Sequence, residues 1–203
     1  MTIFHHVNDL PSGVDFGPVV AVDTETMGLS VQRDRLCVVQ MSAGDGTAHL
    51  VSFPEPRYNA PNLVRLMAND QVTKLFHFGR FDIAMMQRHL GVRCTPVWCT
   101  KIASKLTRTN TDRHGLKDLC RDLLGVELSK QQQTSDWGAP ELSAEQMAYA
   151  ASDVLHLHRL KAALEGLLDR EGRRNLAEAC FRFLPDRAAL DVAGWPEEDV
   201  FAH

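Results

Sequence analysis

Two carboxylates near the start of the chain have a spacing that suits metal-assisted chemistry. Asp23 and Glu25 follow an apolar, β-branched run at positions 19–22, which is typical of a buried strand. Residues i and i+2 of a strand point to the same face, so both carboxylates are expected to converge at one edge of a sheet. Strand ends in α/β sheets are common ligand sites.

Three later residues extend this pattern. Asp82 lies in the first turn of a predicted helix, where a carboxylate suits the positive helix end. Tyr149 and Asp153 are four apart on another predicted helix, and therefore share a face one turn apart. Taken singly, each feature has an ordinary structural explanation, as a helix-terminal acid or a solvated helix face. The order of all five residues along the chain points to a catalytic site.

The elements that must position these side chains are mostly strands in the first half and helices in the second. A hairpin turn is predicted at 44–46, a capping box at Ser143 and Gln146, and a helix stop at Pro185. The predicted strands are 19–22, 36–41, 48–53 and 72–78, and the predicted helices are 60–68, 81–90, 101–106, 116–124, 144–168 and 173–183. This pattern predicts an α/β fold, a mixed sheet flanked by helices. We divide the chain into a catalytic domain, 1–185, and an acidic C-terminal tail, 186–203, whose Trp195 and Phe201 could contact another subunit.

Composition limits the classes of function. The 203 residues include 22 Lys and Arg and 26 Asp and Glu, so the net charge is 22 − 26 = −4. A mildly acidic chain is poorly suited to holding long nucleic acid by bulk electrostatics, although a local patch could hold a short one. Five scattered cysteines without CxxC spacing indicate free thiols. Neither a membrane span nor a signal peptide is expected, and we predict a cytoplasmic protein.

Three ordered motifs resemble those of a known superfamily. AVDTETMGL, FHFGRFD and YAASDVLHL are similar to the motifs of the DEDD 3′–5′ exonucleases, in the DEDDy branch with its Tyr-x-x-x-Asp third motif. The ribonuclease D type is the nearest broad group, and HGLKDLCRDLLGVELSK and QQQTSDW also match it. The short length and the closing GWPEEDVFAH resemble the nano-RNase C group of bacterial oligoribonucleases. The resemblance implies a ribonuclease H-like fold.

The resemblance also implies roles for the five residues and a cofactor. Two divalent cations, Mg²⁺ or Mn²⁺, would assist phosphodiester hydrolysis. Asp23 would bridge both ions, Glu25 and Asp153 would complete the first site, and Asp82 would support the second. Tyr149 would orient the attacking water, because a phenol with a pKa near 10 is a poor base at neutral pH.

Residues for substrate binding are predicted less directly. Leu29 would wedge between two bases, as the equivalent leucine does in related enzymes, or would simply pack as a loop residue. His77 and Arg80 flank the second motif and could meet phosphate or sugar. Lys130 and Gln131 are candidates for the substrate 5′-phosphate.

Length distinguishes the remaining alternatives. The chain has no room for the further helical domains of ribonuclease D, which predicts short substrates or help from an oligomer. The nano-RNase C resemblance implies both, with dinucleotides degraded to nucleoside 5′-monophosphates by an octameric ring. One alternative is a less selective exonuclease on longer RNA or DNA, which would use a basic groove along 101–130. Another is a non-catalytic nucleic-acid binder, which is disfavoured because all four acids and the tyrosine are present.

Overall fold

The structure is a six-stranded mixed sheet covered by helices. The computed structural model describes residues 1–128 and 135–203. The strands are β1 (Thr2–Val7), β2 (Val19–Thr26), β3 (Leu36–Ser42), β4 (Thr47–Ser52), β5 (Thr73–Phe76) and β6 (Val97–Cys99). The sheet order is β1-β4-β3-β2-β5-β6, with β2 antiparallel to β3 and parallel to β5. The mixed sheet with flanking helices agrees with the predicted fold class.

The helices follow the predicted order along the chain. They are α1 (Pro61–Ala68), α2 (Arg80–Leu90), α3 (Thr100–Thr107), α4 (Leu116–Leu119), α5 (Ala144–Leu155), α6 (Leu157–Arg170) and α7 (Arg174–Ala193). The predicted capping box is present, since Ser143 and Gln146 exchange side-chain and backbone hydrogen bonds at the start of α5. The predicted hairpin is also present, because β3 and β4 are antiparallel neighbours.

Two strands lie outside the sequence-based prediction, and both are edge strands of the sheet. β1 is largely exposed and carries two adjacent histidines, so its side chains lack a clear alternation of apolar and polar residues. β6 has only three residues. The periodicity on which a strand prediction rests is too weak in either segment.

Two predicted helices differ in detail from the structure. The stretch 144–168, predicted as one helix, forms two helices that meet at His156. The helical spacing of the apolar residues continues across this interruption, so the sequence pattern does not reveal it. The stretch 116–124 begins as α4 and widens into a π-helical turn, Cys120–Leu124, which ends at Gly125.

The prediction that Pro185 ends the last helix is wrong. α7 continues through Pro185 to Ala193, although proline lacks an N–H group and crowds the preceding turn. Buried side chains on both sides of it, Phe181, Leu184 and Ala188, offset that cost by packing into the core. As a consequence, the end of α7 reaches the region of the site.

All five cysteines are free thiols, as predicted, and four of them are buried. Among residues 1–128 and 135–203, no helix is both long and apolar enough to cross a membrane.

Candidate active site

Three carboxylates from two elements meet above the end of β2. Asp23 and Glu25 come from β2, and Asp153 comes from α5. One oxygen atom from each carboxylate lies within 4.8 Å of the others. The i, i+2 spacing on the strand therefore does bring both strand acids to one point, and α5 supplies the third. Hard divalent cations prefer such oxygen donors.

Gln40 holds the first of these acids in place. It lies opposite Asp23 in the β2–β3 register, and its Nε2 donates a 2.8 Å hydrogen bond to Asp23 Oδ2. Sequence reasoning missed Gln40, although a polar residue within the apolar run LCVVQMS was a usable signal. A fully buried amide in a strand needs a polar partner, and here that partner is a site carboxylate.

Asp82 occupies the first turn of α2 and is buried. Its Oδ1 accepts a 2.6 Å hydrogen bond from Thr24 Oγ1, which fixes the start of α2 against the end of β2. It lies outside the group of three, but its charge helps to raise the pKa of Asp23, Glu25 and Asp153. The four acids thus form one electrostatic unit.

Burial and mutual repulsion hold these carboxyls partly protonated when no cation is bound. Burial is the main cause for each, and it raises the pKa of Glu25 to about 9, of Asp153 to about 7 and of Asp82 to about 6. The pKa of Asp23 is raised well above its usual range by burial and by the neighbouring acids. Holding buried carboxylates this close together is electrostatically unfavourable, and a bound dication would offset that repulsion.

Tyr149 lies one turn before Asp153 on α5 and is half-buried. Burial and the nearby charges of Asp153 and Glu25 raise the pKa of its phenol above the usual value. The hydroxyl is therefore protonated at neutral pH and can donate a hydrogen bond, but it is not a base. The ring of Trp137 stands 6.1 Å away, centroid to centroid, and helps to bury the tyrosine.

A cavity of about 1080 Å³ opens above these residues. The four acids and Tyr149 line it, together with exposed apolar side chains at Met27, Leu29 and Phe78. Leu29 is 87% exposed, so it extends into solvent and does not pack on the core. That exposure is the arrangement expected of a side chain that contacts a ligand.

His77 is positioned differently from a phosphate ligand. Its Nδ1 lies 2.8 Å from Thr100 Oγ1, at the start of α3. Burial, together with the charge of Lys101, lowers the pKa of its imidazole to about 3, so the ring is neutral at physiological pH. The ring lines the cavity, but it offers no positive charge to a phosphate.

Arg80 is tied to the C-terminal helix. Its Nε and Nη2 each donate a 2.7 Å hydrogen bond to the Asp191 carboxylate, and Nη2 also contacts the carbonyl of Pro196. Arg187 donates to the same carboxylate at 2.7 Å. Gln32, in the loop after Leu29, donates to the backbone carbonyl of Asp191 at 3.0 Å.

Asp191 therefore links α2, the loop after Leu29 and the end of α7 at the cavity wall. No role for this residue is predicted from the sequence. We expect Asp191→Ala to lower the free energy of unfolding by about 2 kcal/mol, because two arginines lose a shared, buried acceptor. Thermal denaturation measures this. In the matched control, Asp186→Ala removes the exposed ion pair with Arg93 and should leave Tm nearly unchanged. Equal shifts for both variants would contradict the assigned role of Asp191.

Two predicted substrate residues, Lys130 and Gln131, lie outside the described residues.

Comparison with known proteins agrees with this geometry. A family model described as 3′–5′ exonuclease matches residues 5–169. The chain belongs to the 3′–5′ exonuclease family. The family, the fold and the class of hydrolase predicted from the sequence are thereby confirmed.

Individual members of the 3′–5′ exonuclease family resemble the chain over different spans. The structure of Brucella melitensis NrnC bound to pGG is 58% identical, with a TM-score of 0.97 over 100% of this chain and 99% of the other. The structure of Brucella melitensis NrnC with bound Mg²⁺ is 56% identical, with a TM-score of 0.95 and full coverage of both chains. Ribonuclease D of Acidiphilium cryptum is 37% identical over 156 residues, which are 77% of this chain and 39% of that protein. The chain thus spans about two fifths of the length of that ribonuclease D.

Proposed function

We propose that this exonuclease hydrolyses short oligoribonucleotides, dinucleotides above all, from the 3′ end. In the proposed reaction, water attacks the scissile phosphorus and the P–O3′ bond breaks. The O3′ of the upstream nucleotide is the leaving group and takes up a proton to become a 3′-hydroxyl, and the 3′-terminal nucleotide is released as a nucleoside 5′-monophosphate. The observation that carries the proposal is the cavity, which joins the four acids and Tyr149 to the exposed Leu29 in one space. Its volume of about 1080 Å³ lies just above the usual range for small-molecule sites, which suits a dinucleotide. Similarity to an NrnC structure that contains pGG supports the same substrate class.

We propose two divalent cations, Mg²⁺ or Mn²⁺, as cofactors. Asp23, Glu25 and Asp153 would hold the first ion, and Asp23 with Asp82 the second. Bound cations would neutralise the phosphate and activate water. The close oxygens of the first three acids and the raised pKa values of all four fit such ligands, and similarity to NrnC with bound Mg²⁺ agrees.

A substrate-length series tests the proposal. The purified protein with Mg²⁺ would act on 5′-labelled RNAs of two to about twenty nucleotides, and kcat/KM would be compared across lengths. We expect the dinucleotide to exceed the longest RNA by orders of magnitude. Flat rates, or rates that rise with length, would favour the alternative of an open-groove exonuclease on longer RNA or DNA.

The distribution of basic residues disfavours that alternative. Arg108 and Arg121 lie in the stretch that would form a basic groove, but both pair with Asp122, and Arg121 also pairs with Asp118. Only Lys101 and Lys117 of the described part of this stretch line the cavity. Paired charges contribute little to the phosphate contacts on which binding of long nucleic acid depends.

We propose that Tyr149 orients the attacking water as a hydrogen-bond donor. Tyr149→Phe should lower kcat by about 10² to 10⁴-fold, the range for one positioned catalytic group, while Mg²⁺ affinity measured by calorimetry stays unchanged. Tyr58 supplies the control, because its hydroxyl donates to the Leu36 carbonyl away from the cavity. Tyr58→Phe should retain full activity. A loss of Mg²⁺ binding in Tyr149→Phe would refute the role.

We propose that Leu29 packs against the substrate bases. Leu29→Ala should raise KM for a dinucleotide by about 5 to 10-fold, because the buried contact of an aliphatic side chain is lost. Mg²⁺ affinity should not change. Leu176→Ala, on the exposed part of α7, is the matched control and should leave KM unaltered. An unchanged dinucleotide KM for Leu29→Ala would exclude the contact.

We propose that the active form is a homo-oligomer, an octamer in the family expectation. Exposed aromatic side chains support a subunit contact near the C-terminus: Trp195 is 45% exposed, and the exposed ring of Phe201 packs on Phe183 at 5.7 Å. Light scattering after size-exclusion chromatography measures the mass. A monomer at micromolar concentration would contradict this proposal.

We place the enzyme in the cytoplasm. The free thiols at all five cysteines support a reducing compartment. Cell fractionation with an antibody to the chain tests this location.

A further inference from the structure

Phe78, in the turn between β5 and α2, has a backbone conformation that aromatic residues avoid. Its φ is 61°, in the left-handed region where a bulky side chain is strained. The next residue is constrained as well, because a Cβ at Gly79 would come within 2.5 Å of the Phe76 side chain. Such strain persists where neighbouring structure enforces it, and it is concentrated at ligand sites.

The first residues of α3 hold this turn. His77 meets Thr100, whose hydroxyl also donates a 3.3 Å hydrogen bond to the carbonyl of Phe76. Phe78 meets Lys101, whose Nζ lies 3.7 Å from the centroid of its ring. Two consecutive residues of the turn are thus matched to two consecutive residues of the helix.

The aromatic ring of Phe78 does not pack in the hydrophobic core. Phe78 is 50% exposed and, like Lys101, lines the cavity that contains the four acids. Within residues 1–128 and 135–203, Lys101 has no carboxylate partner. The structure therefore presents, at the rim of an acidic site, an aromatic ring on a strained backbone with the Lys101 ammonium group over one of its faces. The other face of the ring is left for a ligand.

We propose that Phe78 and Lys101 form a nucleotide-binding element in which the ring stacks on a substrate base and the ammonium group pairs with a substrate phosphate. The inference rests on the proposed function for the class of ligand. Stacking on an aromatic ring tolerates every base, which suits an enzyme that must accept many sequences. The Lys101 charge offsets the repulsion between an anionic substrate and the acids. The strain at Phe78 is then the cost of directing an aromatic surface into the cavity.

A binding experiment without turnover tests the element. The ligands are a pGG analogue whose scissile bridging oxygen is replaced by a methylene group, and two versions that each lack one base. Calorimetry with Mg²⁺ gives each Kd for the parent protein and for Phe78→Leu. We expect Phe78→Leu to weaken binding of the intact analogue by about 10-fold. The loss should disappear for the version that lacks the stacked base.

Further variants distinguish the contributions of Phe78 and Lys101 to ligand binding. Phe78→Tyr keeps the ring and should bind the intact analogue like the parent protein. Lys101→Met should weaken binding of all three ligands by about 10-fold, because each retains its phosphates, whereas Lys101→Arg should retain most of the affinity. If Phe78→Leu does not fold, Phe78→Gly replaces it, since glycine accepts the positive φ at no steric cost.

Three results would overturn the proposal: an equal loss for all three ligands in Phe78→Leu, no loss for any of them, or no effect of Lys101→Met. A purely structural role for Phe78 gives the first of these. Because the measurement uses no hydrolysis, its outcome is independent of the length series. An enzyme that prefers long RNA could still pass this test.

Discussion

Asp23→Asn should reduce hydrolysis by more than about 10³-fold while making the metal-free protein more stable. Asparagine preserves the shape of the side chain but removes a charge that all three neighbouring acids repel. Phosphodiester hydrolysis should fall because the carboxylate proposed to bridge both cations is gone. The metal-free Tm should rise because the repulsion among buried acids is relieved.

Opposite changes in activity and stability separate this role from simple misfolding, which would lower both. The addition of Mg²⁺ should raise the Tm of the parent protein and should have little effect on Asp23→Asn. Asp45→Asn is a suitable control, because Asp45 lies in the β3–β4 hairpin, where its carboxylate accepts hydrogen bonds from the backbone N–H and the hydroxyl of Thr47. It should keep both full activity and the Mg²⁺ response. An unchanged activity in Asp23→Asn would remove Asp23 from the mechanism.

The metal-free protein should lose stability as pH rises from 7 to 9. The folded-state pKa values of Asp82, Asp153 and Glu25 are raised to about 6, 7 and 9, above those of an unfolded chain. Between pH 7 and 9 the folded protein keeps protons on Asp153 and above all on Glu25 that the unfolded chain has lost, so the free energy of unfolding falls with increasing pH. The imidazoles do not oppose this change, because unfolded histidines, like the folded His77 whose pKa is lowered to about 3, are largely neutral above pH 7. One extra proton held over two pH units corresponds to about 3 kcal/mol.

For a chain of this size, 3 kcal/mol corresponds to a Tm decrease of about 10 °C. Thermal scans in EDTA at several pH values measure the slope. Saturating Mg²⁺ should abolish most of it, since bound cations replace the protons. The same scans on Asp23→Asn should show a shallower slope in EDTA. A metal-free Tm that rises between pH 7 and 9 would contradict the electrostatic description of the site.

The geometry of the acids could be predicted because it depends on local periodicity. The i, i+2 spacing of Asp23 and Glu25 on a strand dictates a shared face, and the i, i+4 spacing of Tyr149 and Asp153 does the same on a helix. The ordered motifs then identified the family, which the family match confirms. These relations need no knowledge of how distant segments pack.

The remaining features depend on pairings that local patterns do not encode. Gln40 reaches Asp23 only because β3 pairs with β2 in one particular register. Asp191 reaches Arg80 only because α7 continues through Pro185, where a local rule predicts an end. The backbone strain at Phe78 likewise cannot be predicted from the sequence, because it depends on the packing of the β5–α2 turn against α3.

The chain separation within the acidic cluster has a consequence during protein synthesis. Asp23 and Glu25 lie in the second strand, whereas Asp153 lies 153 − 23 = 130 residues after Asp23. At ribosomal rates of about 5 to 20 residues per second, between about 7 and 26 seconds separate the translation of these codons. During most of this interval the nascent chain contains Asp23 and Glu25 but neither Tyr149 nor Asp153. The acidic cluster is therefore incomplete on the ribosome until Asp153 has been added, 203 − 153 = 50 residues before the last one.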